Sequence, residues 1–291
     1  MKPSTSEFHR IRNLRYHVRC WGNAGAPKMF LLHGWMDVSA SFQLMVDCLA
    51  RDWHVIAPDW RGFGLSEWAR DGYWFPEYYA DLDALLDIYQ ADAPVNLVGH
   101  SMGGNVACTY AGVRPQRVAN LISLEGFGAA RTAPDEARKR YARWLDQLAA
   151  PPAFRPYASF DAVAARMRKN NPRLTATQAQ FLAPHWARET ENGKVELRSD
   201  PKHKIVNPVL NRTEELLACW RGVTAPVLWV RGDASSAPGW RGDNAAQFAQ
   251  RKAAFANLRE VALANCGHML HHDQPQRLAA VIEDFIPSAR P

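Results

Sequence analysis

The stretch NLVGHSMGGNVA, residues 96–107, constrains this chain more than any other. An apolar run stops at Gly99, and a helical pattern begins just after Ser101, so Gly99, Ser101 and Gly103 form G-x-S-x-G between a strand and a helix. The glycines permit a turn tight enough to lift Ser101 into a strained, exposed position. The helix behind it aims the positive end of its dipole at the same place. A serine hydroxyl set there reads as a nucleophile on a layered α/β scaffold.

The rest of the chain supplies that scaffold. MFLLHG, HVIAPDW, VNLVGH, VANLISLE, PVLWVRG and LREVAL read as strands: short apolar runs rich in β-branched, leucine and aromatic residues. SASFQLMVDCLARD, EYYADLDALLDIYQ, the run after Ser101, DNAAQFAQRKAAFA and PQRLAAVIEDFI repeat at helical spacing. The alternation predicts a mostly parallel sheet with helices on both faces. One interval departs from it. Between Phe127 and Gly222 there are only short helical stretches, such as EARKRYARWLDQLA, FDAVAARMRKN and ATQAQFLAPHWARE, separated by proline-containing loops. The expected organisation is a core of residues 1–126 and 222–291 with a helical insertion over 127–221.

Composition narrows the remaining classes. At 291 residues with 47% hydrophobic and 22% charged side chains, the chain can bury a large core without any apolar run of membrane-spanning length. Its first residues, MKPSTSEFHRIRNLRYH, lack an apolar signal segment, which predicts a cytoplasmic protein. Five cysteines without C-x-x-C spacing predict free, mostly buried thiols rather than a disulfide framework or a zinc site. The net charge of +6 resides in one segment: residues 126–221 hold 17 Lys and Arg against 10 Asp and Glu. That excess suits either solvated helix faces or attraction of an anionic substrate. No basic run interleaved with aromatics forms a nucleic-acid module.

A nucleophilic serine needs a base, and the base needs an orienting carboxylate. Downstream, VALANCGHMLHHDQPQRLAAVI sets His268 in a short glycine-containing loop between the last strand and the last helix. His271 and His272 are the rivals; they stand beyond the turn, where a surface or capping role is expected.

Together GHSMGG, MFLLHGW, DWRGFGLS and NCGHMLHHDQP resemble the α/β-hydrolase superfamily, in its serine-hydrolase branch with a helical cap after the sixth strand. The resemblance covers nearly the whole chain. It implies an eight-stranded-type sheet, an oxyanion loop at His33-Gly34-Trp35, and an oxyanion hole made by the backbone N–H groups of Trp35 and Met102. Asp59, Arg61, Gly62 and Gly64 fall on a structural turn of that family. Its common acid position, three residues after the glycine that closes PVLWVRG, is Ser235 here, and Asp233 sits two places early. Some capped relatives carry the acid after the sixth strand instead. Glu125, which ends VANLISLE, stands at that place, so Glu125 is the preferred acid and Asp233 the alternative.

The expected function is a serine hydrolase of carboxylic esters, lactones and thioesters included, acting through an acyl-enzyme on a small ester-like molecule with no metal or organic cofactor. Hydrolysis of a carbon–carbon bond in a β-diketone or ring-cleavage product would use the same groups. A non-catalytic hydrolase-fold binding protein is the reading from another class. The insertion is expected to roof the pocket, with Trp144, Phe154, Tyr157, Phe160, Met167, Phe181, Trp186 and Trp220 mostly packing within it. Trp35 and Met102 are expected to touch the ligand.

Overall fold

In a computed structural model, the protein is described over residues 1–235 and 245–287. Strands β1 (Ser4–Ile11), β2 (Leu14–Trp21), β3 (Lys28–Leu32), β4 (His54–Pro58), β5 (Val95–His100) and β6 (Val118–Leu124) come first. A separate two-stranded ribbon, β7 (Ala187–Glu189) and β8 (Val195–Leu197), follows, and β9 (Val227–Gly232) and β10 (Leu258–Leu263) close the sheet. The eight-stranded sheet has the order β1-β2-β4-β3-β5-β6-β9-β10. β1 and β2 pair antiparallel, as do β2 and β4, and every later neighbour in the sheet is parallel.

Side chains alternate across the sheet because successive residues of a strand point to opposite faces. Phe30, Leu32, Leu97, Leu121 and Trp229 enter the core on one face, under helices Phe75–Tyr89 and Met102–Val113. Met29, Leu31, Val98, Ile122, Leu228 and Val230 enter the other, against helix Pro275–Phe285. Both faces being covered, the central strands are mostly apolar, with Asn96 and Asn120 near their starts hydrogen-bonded to each other.

Three differences from the sequence reading have physical causes. β1 and β2 form an additional hairpin; β1 lies at the edge and is largely exposed, so it needs few apolar residues and gives little signal. SASFQLMVDCLARD is not one helix but a 3₁₀ turn, Ser39–Phe42, running into a single α-turn, Gln43–Val46. The helix read from DNAAQFAQRKAAFA spans Ala245–Lys252, while Asp243 and Asn244 lie outside the described residues.

Residues 127–221 add no strand to the main sheet. Helices Phe160–Asn170 and Ala176–Trp186 build a small core of their own around Val163, Met167, Leu182 and Val195. Helix Thr213–Trp220 behaves differently. Trp220 is fully buried against Trp229 and Phe255 in the main core, so it is not packing within the insertion. Cys20, Cys108 and Cys266 are buried free thiols, and Cys48 and Cys219 are partly exposed ones. No helix among the described residues is long and apolar enough to cross a membrane.

Candidate active site

Ser101 sits on the turn between β5 and helix Met102–Val113 with φ 51° and ψ −112°, a conformation that costs energy for a residue with a side chain. Its surroundings fix it there. The Ser101 N–H donates to Leu124 O at 2.7 Å, tying the turn to the end of β6. A Cβ on Gly99 would stand 2.3 Å from Gly103 O, and one on Gly103 would stand 2.2 Å from Leu32 O. Only glycine lets the strand, the turn and the helix approach this closely.

Glu125, the next residue after β6, has φ 56° and is fully buried. Its N–H donates to Val230 O at 3.0 Å, anchoring its backbone to β9. Its carboxylate accepts from Gly232 N–H at 2.7 Å through Oε1 and from Ser235 Oγ at 2.6 Å through Oε2. His268 Nδ1 lies 3.3 Å from the same Oε2. A buried carboxylate is tolerable where donors surround it, and here three converge on it.

Asp233 goes elsewhere. It is exposed, and its Oδ1 accepts from Cys266 N–H at 3.1 Å, a bond that holds its carboxyl below the usual range. Glu125 and His268 are therefore brought together, and Asp233 ties the loop that precedes His268. The sequence reading treated Ser235 only as a vacancy; the residue in that position donates to Glu125 Oε2.

His268 is partly exposed. Its carbonyl accepts from His100 Nε2 at 2.9 Å, so the residue before the serine also steadies the histidine loop. His271 and His272, expected at the surface or at a cap, are instead buried at 0% and 3% exposure. The short helix Leu270–Asp273 turns them inward, where His271 packs on Phe42 and His100.

Trp35 and Met102 line one cavity of about 530 Å³ together with Ser101 and His268. Among the described residues, neither Trp35 N–H nor Met102 N–H donates to a protein acceptor. The loop before Trp35 is rigid: Trp60 N–H donates to His33 Nε2 at 2.9 Å, so His33 Nδ1 carries the proton it gives to Gly34 O at 2.7 Å. Burial keeps His33 neutral. Asp59, beneath the same loop, accepts from Ser39 N–H, His17 Nδ1 and Leu65 N–H. The cavity is completed by Tyr73, Phe75, Tyr78 and Asn105 and, from the 127–221 segment, by Lys202, His203, Ile205 and Asn207.

A serine on a strained strand-to-helix turn, sharing one cavity with a histidine that faces a buried carboxylate at the carboxyl ends of a mostly parallel sheet, defines a hydrolase of the doubly covered α/β kind. The alpha/beta hydrolase fold profile matches residues 27–275, and the chain belongs to that family. It is similar to a serine hydrolase-like protein of Danio rerio, 27% identical with all of this chain and 91% of the relative covered. It is 25% identical to a 2-(acetamidomethylene)succinate hydrolase of Mesorhizobium japonicum, covering 95% and 93% of the two chains. Among solved structures, a thioesterase domain from the curacin biosynthetic pathway superposes with a TM-score of 0.87 at 24% identity, over 97% of this chain and 99% of that one.

Proposed function

We propose that this α/β hydrolase is a serine hydrolase of carboxylic esters, lactones and thioesters included, with Ser101 as nucleophile, His268 as base and Glu125 as acid. The observation that carries the reading is the 3.3 Å approach of Glu125 Oε2 to His268 Nδ1, with Asp233 engaged by Cys266. A carboxylate there selects the tautomer in which Nδ1 holds a proton and Nε2 is free to accept one.

The steps follow from those roles. Ser101 Oγ attacks the substrate carbonyl carbon while His268 Nε2 takes the hydroxyl proton. The carbonyl oxygen becomes an oxyanion, held by the N–H groups of Trp35 and Met102, which have no protein acceptor among the described residues to release first. The intermediate collapses, the leaving alcohol or thiol takes the proton from His268, and an acyl ester remains on Ser101. Water then loses a proton to His268 and attacks the acyl carbon. Ser101 departs with that proton, and the carboxylic acid leaves.

The 127–221 segment acts as a cap in this reading, since Lys202, His203, Ile205 and Asn207 close one side of the cavity that Ser101 opens onto. They should govern which acyl or alcohol groups enter. The names of the relatives, a serine hydrolase-like protein, a hydrolase and a thioesterase domain, support transfer of an acyl group to water. The test is labelling by a fluorophosphonate probe together with turnover of p-nitrophenyl esters of increasing chain length. Single labelling at Ser101 with ester turnover is expected. No labelling of folded protein, or labelling at another residue, would overturn the reading.

A further inference from the structure

Behind the histidine loop lies a buried cluster that the proposed chemistry does not use. Asp37, His100 and His271 are 2%, 2% and 0% exposed. One ligand atom from each, a carboxylate oxygen and two imidazole nitrogens, lies within 4.8 Å of the other two. Asp37 Oδ1 is occupied, accepting from Val38 N–H at 2.8 Å and from the Ser41 hydroxyl. Among the described residues, no hydrogen bond within 3.5 Å reaches Asp37 Oδ2, His100 Nδ1 or either ring nitrogen of His271, and His271 Nε2 stands 3.6 Å from Asp37 Oδ2.

The protonation of His100 sharpens the point. Its Nε2 faces the carbonyl of His268 at 2.9 Å, and a carbonyl only accepts, so Nε2 carries the proton. In the neutral ring Nδ1 is then a bare lone pair, and it stands in the same cluster as the free lone pairs of Asp37 Oδ2. A neutral His271 has one N–H to offer to Asp37 Oδ2, 3.6 Å from its Nε2, and none then remains for His100 Nδ1, whereas a cation among the three would serve every lone pair.

We propose that Asp37, His100 and His271 bind a divalent transition-metal ion of the zinc class. Two imidazoles favour such an ion over magnesium or calcium, which prefer oxygen donors. The carboxylate and two histidines leave a tetrahedral ion one further position. His271 Nε2 and Asp37 Oδ2 stand 3.6 Å apart, close to the roughly 3.4 Å separation of neighbouring donors around tetrahedral zinc. With all three donors within 4.8 Å of one another, the widest pair must close by up to about 1.4 Å. His100 already makes the outer contact that ligating histidines make, giving the N–H of its other ring nitrogen, Nε2, to a backbone carbonyl. Because that carbonyl belongs to His268, the ion braces the histidine loop from behind. It takes no part in the acyl chemistry, and its binding can be read whether or not Ser101 is a nucleophile.

The test uses the full chain, stripped with a chelator and titrated with Zn²⁺ or Co²⁺. One equivalent should bind, raise the unfolding midpoint and, with Co²⁺, give the visible absorption of a low-symmetry site with nitrogen and oxygen donors. Ser101→Ala and His268→Ala should bind as the wild type does. Asp37→Asn and His271→Gln should each weaken binding at least tenfold. If a variant at the cluster does not fold, the wild-type Co²⁺ spectrum still reports the donor set. Absence of stoichiometric binding to folded wild type, binding indifferent to Asp37→Asn and His271→Gln, or binding lost in His268→Ala would each overturn the proposal.

Discussion

Ser235 Oγ donates, at 2.6 Å, to the same oxygen of Glu125 that His268 Nδ1 faces. Ser235 stands where the resembling family commonly has its acid. Here that position carries a hydroxyl, and it holds the carboxylate of the residue that follows β6. Replacing it with alanine removes a hydrogen bond to a charged acceptor, worth about 1.5 to 3 kcal/mol. Ser235→Ala should lower kcat about tenfold or more, with KM little changed, because the carboxylate loses orientation and the substrate cavity does not. A change confined to KM would argue that Ser235 acts on binding instead.

The carboxylate itself is the larger effect. Glu125→Gln keeps shape and removes charge, and a comparable change in a serine protease costs about 10⁴ in kcat. Asp233→Asn, which leaves the Cys266 contact able to form, should cost less than about tenfold, since a surface tie of this kind contributes little. Steady-state rates on a neutral p-nitrophenyl ester decide between them. Equal losses in the two variants would sink the assignment of Glu125.

An acid restored at the family position should compensate. In Glu125→Gln/Ser235→Asp, the new carboxylate starts from a side chain already in contact with residue 125, next to the imidazole. At least about tenfold of the rate lost in Glu125→Gln should return, an interaction between neighbouring sites that a double-mutant cycle measures. No recovery in a folded double variant would mean that a side chain at 235 cannot reach His268.

Acid should destabilise the fold before any carboxylate titrates. His203 is stacked between Phe63 and Tyr73, with ring centroids 3.9 and 3.6 Å away, and burial pushes its pKa down to about 3. His185 is likewise lowered by burial, to about 4. Unfolding frees such a histidine to take a proton near its ordinary value of about 6.5. The unfolded chain therefore binds more protons below that pH, and stability falls as pH falls from about 6.5 toward 3. His203 alone removes up to about 1.4 kcal/mol per pH unit in that window. Urea midpoints at pH 7, 6 and 5 should decline, and His203→Gln should flatten the decline. A midpoint independent of pH over that range would contradict the buried neutral state.

The turn at Ser101 was legible in residues 96–107, because a strained strand-to-helix turn imposes glycine spacing that leaves a local mark. Glu125 was legible too, as a charge at the end of an apolar strand. Ser235 and the His271 environment were not. Their partners, Glu125 and Asp37, lie far away in the chain, and a serine or histidine carries no pattern announcing which distant group it will meet. GHMLHHD reads as polar and therefore exposed; only the inward turn of Leu270–Asp273 buries it. β1 escaped notice for the opposite reason, since an edge strand can remain polar and still pair.

Glu125 is also the first residue after β6, where the chain leaves the sheet for the long segment that ends near Arg221. Anyone grafting that segment between homologous enzymes faces a joinery constraint as a result. A cut made at or before Leu124 carries the carboxylate away with the transplant, and the incoming piece must bring its own. A cut after Phe127 leaves it, together with its ties to Val230 and Gly232, on the recipient. The same segment, spliced three residues apart, would give one chimera with an orphaned histidine and one with its partner in place.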